Sequence, residues 1–282
     1  MKTFETINQL REELRKYKSR QTIGFVPTMG YLHQGHLSLV EQSKKENDVT
    51  VASIFVNPTQ FGPEEDFDSY PRDVEKDERL LRELEVDVVF YPTVKEIYPE
   101  GYATYVEIEK LGNMLCGKSR PTHFRGVTTV VLKLLNIVFP TSAYFGRKDA
   151  QQAIIIKKMV KDLNLDVTIQ TLPIVRDPDG LALSSRNAYL SPKERKAALG
   201  LSRGLRKAKI EIDHGLRDAA AVKESIQKEI SKDPLVTIDY IEVVRLDTLE
   251  KIKTIAIDNT LAAGAIWVGK TRLIDNFILG EI

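Results

Sequence analysis

The run Thr22-Ile23-Gly24-Phe25-Val26-Pro27-Thr28-Met29-Gly30-Tyr31-Leu32-His33-Gln34-Gly35-His36 decides how the chain is read. Its first five residues are apolar and mostly β-branched or aromatic, the composition of a strand buried in a parallel sheet. Pro27 is expected to end that strand. A loop holding Gly30 follows, and from about Gly35 the residues Leu37, Leu39, Val40 and Ser43 fall on one helical face. His33 and His36 therefore sit where a strand hands over to a helix N-terminus. Unpaired backbone N–H groups and the positive end of the helix dipole attract phosphate there. Gly30 and Gly35 let a ligand approach the backbone, and either imidazole can donate a hydrogen bond to a phosphate oxygen. A lone histidine is usually an ordinary surface or cap residue, but only four occur in 282 residues and two of them are paired here.

Composition narrows the class of protein. With 42% hydrophobic residues and 41 basic against 40 acidic side chains, a soluble globular chain of one large or two ordinary domains is expected, with no bulk charge favouring nucleic acid. Cys116 is the only cysteine, so no internal disulfide is possible, no zinc-site spacing occurs, and a reducing, cytoplasmic setting is expected. Met1 to Arg20 reads as a charged amphipathic helix rather than a signal peptide. No apolar run reaches the roughly 18 residues of a membrane span.

Beyond the opening stretch the strand and helix patterns alternate. Val49 to Val56 is a second strand, leading into Asn57-Pro58-Thr59-Gln60-Phe61-Gly62. Polar side chains directly after a parallel strand lie at the sheet's carboxyl edge, where such folds bind ligands, so Asn57 and Gln60 are binding candidates; Asn-Pro also starts turns, and for Asn57 the two readings weigh equally. Pro71 to Leu84 reads as a helix carrying Asp77, for which a solvated surface carboxylate is the default. Val86 to Tyr91 is a third strand, and Tyr102 to Ile108 a short one. Cys116 to Gly126 reads as a loop beside the site, whose Lys118, Arg120, His123 and Arg125 repel one another unless an anion or solvent lies among them. Val127 to Val138 is a buried helix. Ala143 to Phe145 is a strand followed by Gly146-Arg147-Lys148-Asp149 and a further helix, repeating the opening geometry; Lys148 is placed for phosphate and Asp149 for a helix cap.

After a strand over Val167 to Val175, Pro178-Asp179-Gly180 marks a turn. Ser184-Ser185-Arg186 then offers hydroxyls and a guanidinium suited to a triphosphate. Ser191 and Glu194 form a capping box opening a helix to about Ile212. A second helix and three strands complete the chain. The expectation is α/β: a Rossmann-like, doubly wound parallel sheet over residues 1–187 that carries the chemistry, and a smaller C-terminal α+β domain over 188–282.

His-x-Gly-His after a first strand resembles the nucleotidylyltransferase superfamily. The match narrows on an ordered set of motifs: Pro27-Thr28-Met29-Gly30, His33-Gln34-Gly35-His36, Phe55-Val56-Asn57-Pro58, Tyr70-Pro71-Arg72, Arg120-Pro121-Thr122-His123-Phe124, Gly146-Arg147-Lys148-Asp149 with Gln151-Gln152, and Asp179-Gly180 through Ser184-Ser185-Arg186-Asn187. Together they resemble the pantoate–β-alanine ligase family over nearly the whole chain. That resemblance implies a cytoplasmic enzyme, typically a homodimer, that uses ATP and Mg2+ to join pantoate to β-alanine through a pantoyl adenylate, with no nucleic-acid or membrane partner. It implies that His33 and His36 contact the ATP phosphates, with His36 as catalytic acid. Lys148, Ser184, Ser185 and Arg186 then hold the triphosphate, while Gln60 and Gln152 hold pantoate. Met29, Gly146, Asp149, Val175 and Leu183 line the nucleotide pocket, and Asp77 matches a magnesium position beside Lys76, where some relatives carry an acid. Gly30 and Gly35 belong with the phosphate loop, and Asn57 and Arg120 with the substrate side.

Overall fold

A computed structural model describes residues 1–17 and 20–281. The chain forms two compact units, the first comprising residues 1–112, 120–147 and 155–173, the second 113–119, 148–154 and 174–282. No helix among the described residues is long and apolar enough to cross a membrane.

The first unit begins with β1 (Lys2–Phe4), α1 (Ile7–Arg15), β2 (Ile23–Thr28), α2 (Gln34–Glu46), β3 (Val49–Ile54), α3 (Val74–Glu83), β4 (Val88–Phe90) and α4 (Val94–Ile97). After α5 (Cys116–Ser119), which belongs to the second unit, come α6 (His123–Val138), β5 (Ser142–Gly146), α7 (Ala150–Asp162), whose first residues also fall in the second unit, and β6 (Thr168–Leu172). Among the described residues these six strands make one all-parallel sheet in the order β1-β4-β3-β2-β5-β6. From β2 the chain winds one way through β3 and β4, then returns to the other side of β2 with β5. The carboxyl ends of β2 and β5 are thus the switch point of a doubly wound sheet, where open α/β folds take ligands. The apolar strand runs pack Val26, Ala52, Ile54 and Val89 against Val40 of α2 and Leu81 of α3.

Several local expectations are corrected. Pro27 does not end β2 but pairs opposite Ser53. Residues along a parallel strand address alternate neighbours; Pro27 addresses the β5 side, where pairing stops at Phe25 and Ala143, so no ladder bond needs its missing N–H. Helix α3 starts at Val74, not Pro71, because the Asp73 side chain accepts the N–H of Lys76 at 3.1 Å and caps it there. Tyr102 to Ile108 joins no sheet; its Val106 N–H donates to Thr129 Oγ1 at 3.0 Å and its carbonyl accepts from Thr128 Oγ1 at 2.5 Å. Cys116 to Gly126 is not a loop throughout, since it holds α5 and the first turn of α6.

The second unit carries α8 (Pro192–Asp213), α9 (Ala219–Ile230), β7 (Val236–Arg245), β8 (Asn259–Val268) and β9 (Thr271–Gly280), the strands forming an antiparallel meander. The capping box is present: Ser191 Oγ accepts the N–H of Glu194, whose carboxylate accepts the N–H of Ser191. Leu201 and Leu205 of α8, Val222 and Ile226 of α9, and Ile241 and Ile266 of the sheet form its core.

Candidate active site

The β2–α2 connection is built from buried polar contacts. Thr28 turns its hydroxyl onto the carbonyl of Ser53 at 2.8 Å, and the same oxygen accepts the N–H of Gly30 at 3.2 Å. Gly30 (φ 82°) and Tyr31 (φ 50°) are successive left-handed residues. A Cβ on Gly30 would stand 2.9 Å from Ile54 Cγ2 and 3.0 Å from Asp77 Oδ2, so conformation and space both require glycine. The N–H groups of Tyr31 and Leu32 donate to Asp77 Oδ2 and Oδ1 at 2.7 and 2.6 Å. His33 then caps α2, its Nδ1 accepting the N–H of Gly35 at 3.1 Å. With Nδ1 an acceptor, the neutral ring carries its proton on Nε2. One turn on, His36 stacks on His33 with ring centroids 4.1 Å apart and planes inclined by 28°. No acidic residue enters the first turn of α2. The switch point therefore presents two imidazoles at the positive end of a helix, an arrangement that receives anions.

Asp77 is not the solvated carboxylate expected on a charged helix; it is 1% exposed. Burial pushes its carboxyl up, only partly opposed by the Leu32 and Tyr31 N–H groups and by Lys76. The implied magnesium role does not fit this geometry. Both oxygens face N–H groups, and no cluster of three metal-ligating side chains exists among the described residues. Mg2+ wants near-octahedral oxygen ligands and keeps several waters, which a carboxylate sealed beneath a loop does not offer.

Beside this loop, at the end of β3, Asn57 is 1% and Gln60 8% exposed. Asn57 is neither a free ligand nor a simple turn former. Its Nδ2 donates to Gln60 Oε1 and to the carbonyl of Gly126, each at 3.1 Å, while its Oδ1 accepts from Tyr98 and Thr59 hydroxyls at 2.8 and 3.0 Å. The Gln60 amide oxygen is thereby occupied and its NH2 turns toward Met29, 2.9 Å from Sδ. Burial pushes the Tyr98 hydroxyl up to about 12, so it remains a donor at ordinary pH. The backbone of Gln60 is held as well: its carbonyl lies 3.2 Å from Arg120 Nη2 and 2.7 Å from His123 Nδ1. Arg120 pairs with Glu65, Nε to Oε1 at 2.7 Å and Nη2 to Oε2 at 2.5 Å. This carboxylate is the anion that the cation-rich segment calls for, so Arg120 braces the loop rather than reaching outward. A Cβ on Gly126 would fall 2.3 Å from the carbonyl oxygen of Thr59; only glycine lets α6 lie against this loop. Tyr98 and Gly126 escape sequence reasoning. A tyrosine forty residues from its partner leaves no local signal, whereas the glycine in Phe124-Arg125-Gly126-Val127, at the start of an apolar helix, is a cue to close packing.

In the second unit the predicted residues lie on two segments. Lys148 Nζ pairs with Asp149 Oδ1 at 3.2 Å, and the Lys148 carbonyl accepts from Asn276 Nδ2 at 2.9 Å. Gln151 is used internally, between the Cys116 N–H and the Met114 carbonyl, whereas Gln152 is half-buried. Val175 and Leu183 are brought together, Leu183 N–H donating to the Val175 carbonyl at 3.0 Å across a hairpin whose turn holds Gly180 at φ 94°. Ser184 then caps a short 3-10 turn over Ser185–Tyr189, its Oγ accepting the N–H of Arg186 at 3.3 Å. Asn187 Nδ2 ties the turn back to the Ala182 carbonyl at 3.0 Å. Arg195 of α8 clamps the hairpin, its Nη2 2.6 Å from Asp177 Oδ2 and 2.9 Å from Asp179 Oδ2. Arg176 grips Asp275 through two bonds of 2.6 and 2.9 Å. Gly146, at the end of β5, has nothing within 4 Å of where a Cβ would stand.

Comparison with known proteins bears on this arrangement. The family model described as pantoate-beta-alanine ligase matches residues 2–278. A pantothenate synthetase of Acetivibrio thermocellus is 58% identical over 280 residues, covering 99% of both chains. Another, of Thermotoga petrophila, is 56% identical over 283 residues, covering 99% of this chain and all of the relative. Among solved structures, the pantothenate synthetase of Thermus thermophilus aligns over all of both chains with a TM-score of 0.95 at 44% identity. The Francisella tularensis pantoate-beta-alanine ligase, complexed with beta-gamma ATP and beta-alanine, aligns over 99% of this chain and 97% of its own with a TM-score of 0.81 at 38% identity. With a parallel sheet, a histidine pair at its switch point and full-length identity of this order, the chain belongs to the pantoate–β-alanine ligase family.

Proposed function

We propose that the chain condenses (R)-pantoate with β-alanine using ATP, by way of a pantoyl adenylate. The observation that carries this reading is the stacked His33–His36 pair on the N-terminus of α2. In the first step a pantoate carboxylate oxygen attacks the α-phosphorus and the bond to the pyrophosphate oxygen breaks. Negative charge grows on the leaving and non-bridging oxygens, where His33, His36 and the α2 N–H groups are suited to take it. His36 acts as the acid on the leaving side. Lys148, Ser184, Ser185 and Arg186 contribute donors to the triphosphate, and Met29, Gly146, Asp149, Val175 and Leu183 border the nucleotide. In the second step the β-alanine amine attacks the acyl carbon, the carbon–oxygen bond to AMP breaks, and the ammonium loses a proton. An acyl adenylate is already reactive, so positioning and exclusion of water suffice and no protein nucleophile is needed. Gln60, whose NH2 lies beside Met29, and Gln152 are suited to donating hydrogen bonds to oxygens of pantoate.

The ligands of the Francisella relative support a nucleotide and the amine as substrates. Magnesium, brought as the counter-ion of the triphosphate, supplies charge neutralisation there. We further propose a homodimer, supported by the 103–108 segment: within the described residues its backbone bonds are those of Val106 to the α6 threonines and of the Ile108 carbonyl to the Gly112 N–H, leaving the edge over residues 103–105 open to a second strand. A cytoplasmic location stays part of this reading. The test is pyrophosphate release, which requires ATP and pantoate, and AMP release, which requires β-alanine as well. His36→Ala and Lys148→Ala each slow adenylate formation at least about tenfold, an added barrier of roughly 1.4 kcal/mol; wild-type rates in both would overturn the mechanism.

A further inference from the structure

We infer that Asp77 is a positioning residue that sets the register of the histidine pair, rather than a ligand for magnesium. Its carboxylate projects from α3 into the β2–α2 connection and accepts two consecutive backbone N–H groups, Tyr31 at 2.7 Å and Leu32 at 2.6 Å. Those N–H groups belong to an irregular segment outside strand and helix, and no carbonyl takes them. Removing the carboxylate would take the acceptor from a buried N–H at Leu32 and a part-buried one at Tyr31, and such bonds are costly to leave unmade. Charge-assisted bonds of this length are also the strong kind. They offset a strained conformation, since Tyr31 is a bulky residue held at φ 50°.

The consequence reaches the reacting groups through one residue. Leu32, whose N–H is clamped, is 1% exposed and packs in the core with Val26, Val40 and Leu81. His33 follows directly and begins α2, and His36 is stacked on it. Moving the clamp thus moves the start of the helix and both rings. Gly30 fits the same arrangement, because a Cβ there would touch Asp77 Oδ2 at 3.0 Å. Lys76 adds to it from the other side, its Nζ 4.6 Å from the centroid of the Tyr31 ring. Both carboxylate oxygens of Asp77 are taken by the loop, so on this inference the residue acts through His33 and His36.

This inference rests on the proposed function only for its kinetic arm. The test is Asp77→Asn, which keeps the size and one acceptor but sets an NH2 against the other N–H. Hydrogen exchange of the 26–36 segment should accelerate by about tenfold or more as the Tyr31 and Leu32 amides lose protection. The turnover number for pyrophosphate release should fall by about tenfold or more, while KM for pantoate and the half-activating magnesium concentration stay within about threefold. Unchanged exchange in Asp77→Asn would overturn the clamp; so would a tenfold shift in the magnesium requirement with turnover intact at saturating metal, the mark of a metal ligand. If the variant does not fold, exchange in the wild-type protein decides the matter, for the inference requires both amides to be protected about tenfold or more over unstructured chain. A protein with no pantoate-dependent pyrophosphate release would defeat the functional reading alone, the exchange result standing apart.

Discussion

The two phosphate-type motifs of this chain are held in opposite ways. The histidine loop is fixed by partners remote in sequence and buried: Thr28 on Ser53, Tyr31 and Leu32 on Asp77. The Ser184-Ser185-Arg186 turn is held mostly by near neighbours, Asp179 on Leu181, Ser184 on Arg186 and Asn187 on Ala182, with Arg195 arriving from the next helix and one distant tie, Arg176 to Asp275, at the base of the hairpin. A site held by long-range bonds to core residues cannot shift without opening the core, whereas one held mostly by local bonds can rearrange as a small unit. The difference teaches which segment is pre-organised and which is able to move. We accordingly propose the Asp177 to Gly180 turn, with Arg186, as the closing region.

The largest expected effects come from breaking the rigid side. Gly126→Ala sets a methyl 2.3 Å from the Thr59 carbonyl, with further contacts on backbone. Neither α6 nor the Gln60 loop can give way by a rotamer change, so a loss of about 3 kcal/mol is expected, at the upper end for overpacking. Chemical denaturation measures it, and KM for pantoate should rise with the displaced Gln60. Gly30→Ala follows at about 2 kcal/mol, from left-handed strain plus the close approach to Ile54 and Asp77. It should act on turnover rather than on pantoate binding. If both variants unfold and turn over like the wild type, the histidine side is no more rigid than the serine side and the contrast is broken.

What is legible in the sequence follows the same division. The strand-to-helix handover at Val26 to Gly35, the parallel strands and the Ser191–Glu194 capping box can be read because periodicity and capping are local. The Ser-Ser-Arg segment can be picked out by its own hydroxyls and guanidinium, whereas Val175 and Leu183 enter only through the family resemblance. Asp77 is legible only in part: its spacing from Leu81 and Leu84 puts it on the apolar face of its helix, but nothing local names its partners, which lie 45 and 46 residues away. Asn57 looks like a ligand or a turn former, yet its four hydrogen bonds come from Gln60, Thr59, Tyr98 and Gly126. Arg120 reads as substrate-facing because Glu65 is distant in sequence. Pro27 misleads because its harmlessness depends on where β5 stops.

Smaller effects sharpen the flexible side. Ser184→Ala removes a cap worth about 1 kcal/mol in a helix, and less in a turn this short. Stability should therefore barely change, while the KM for ATP rises as Arg186 loses its anchor; equal damage to stability and ATP binding would show that this turn, too, is part of a rigid frame.

The smallest effect is a dependence on pH with a defined sign. Burial on its own would raise the Asp179 carboxyl, but the Leu181 N–H and the Arg195 guanidinium outweigh it and hold the group below the usual aspartate value of 3.8. A folded-state value depressed in this way lends stability that is present above the unfolded value and disappears as pH falls through the folded one. Asp179 and Arg195 are both about 35% exposed, so solvent screening keeps the contribution within about 1 kcal/mol. In Asp179→Asn the deficit relative to wild type should be largest near neutral pH and disappear as pH falls below the usual aspartate range. Because the effect is local, hydrogen exchange of the 176–183 hairpin should register it more clearly than global unfolding does. If the deficit instead persisted at low pH, Asp179 would be holding the turn by geometry alone, and the hairpin would be stiffer than its exposed contacts imply.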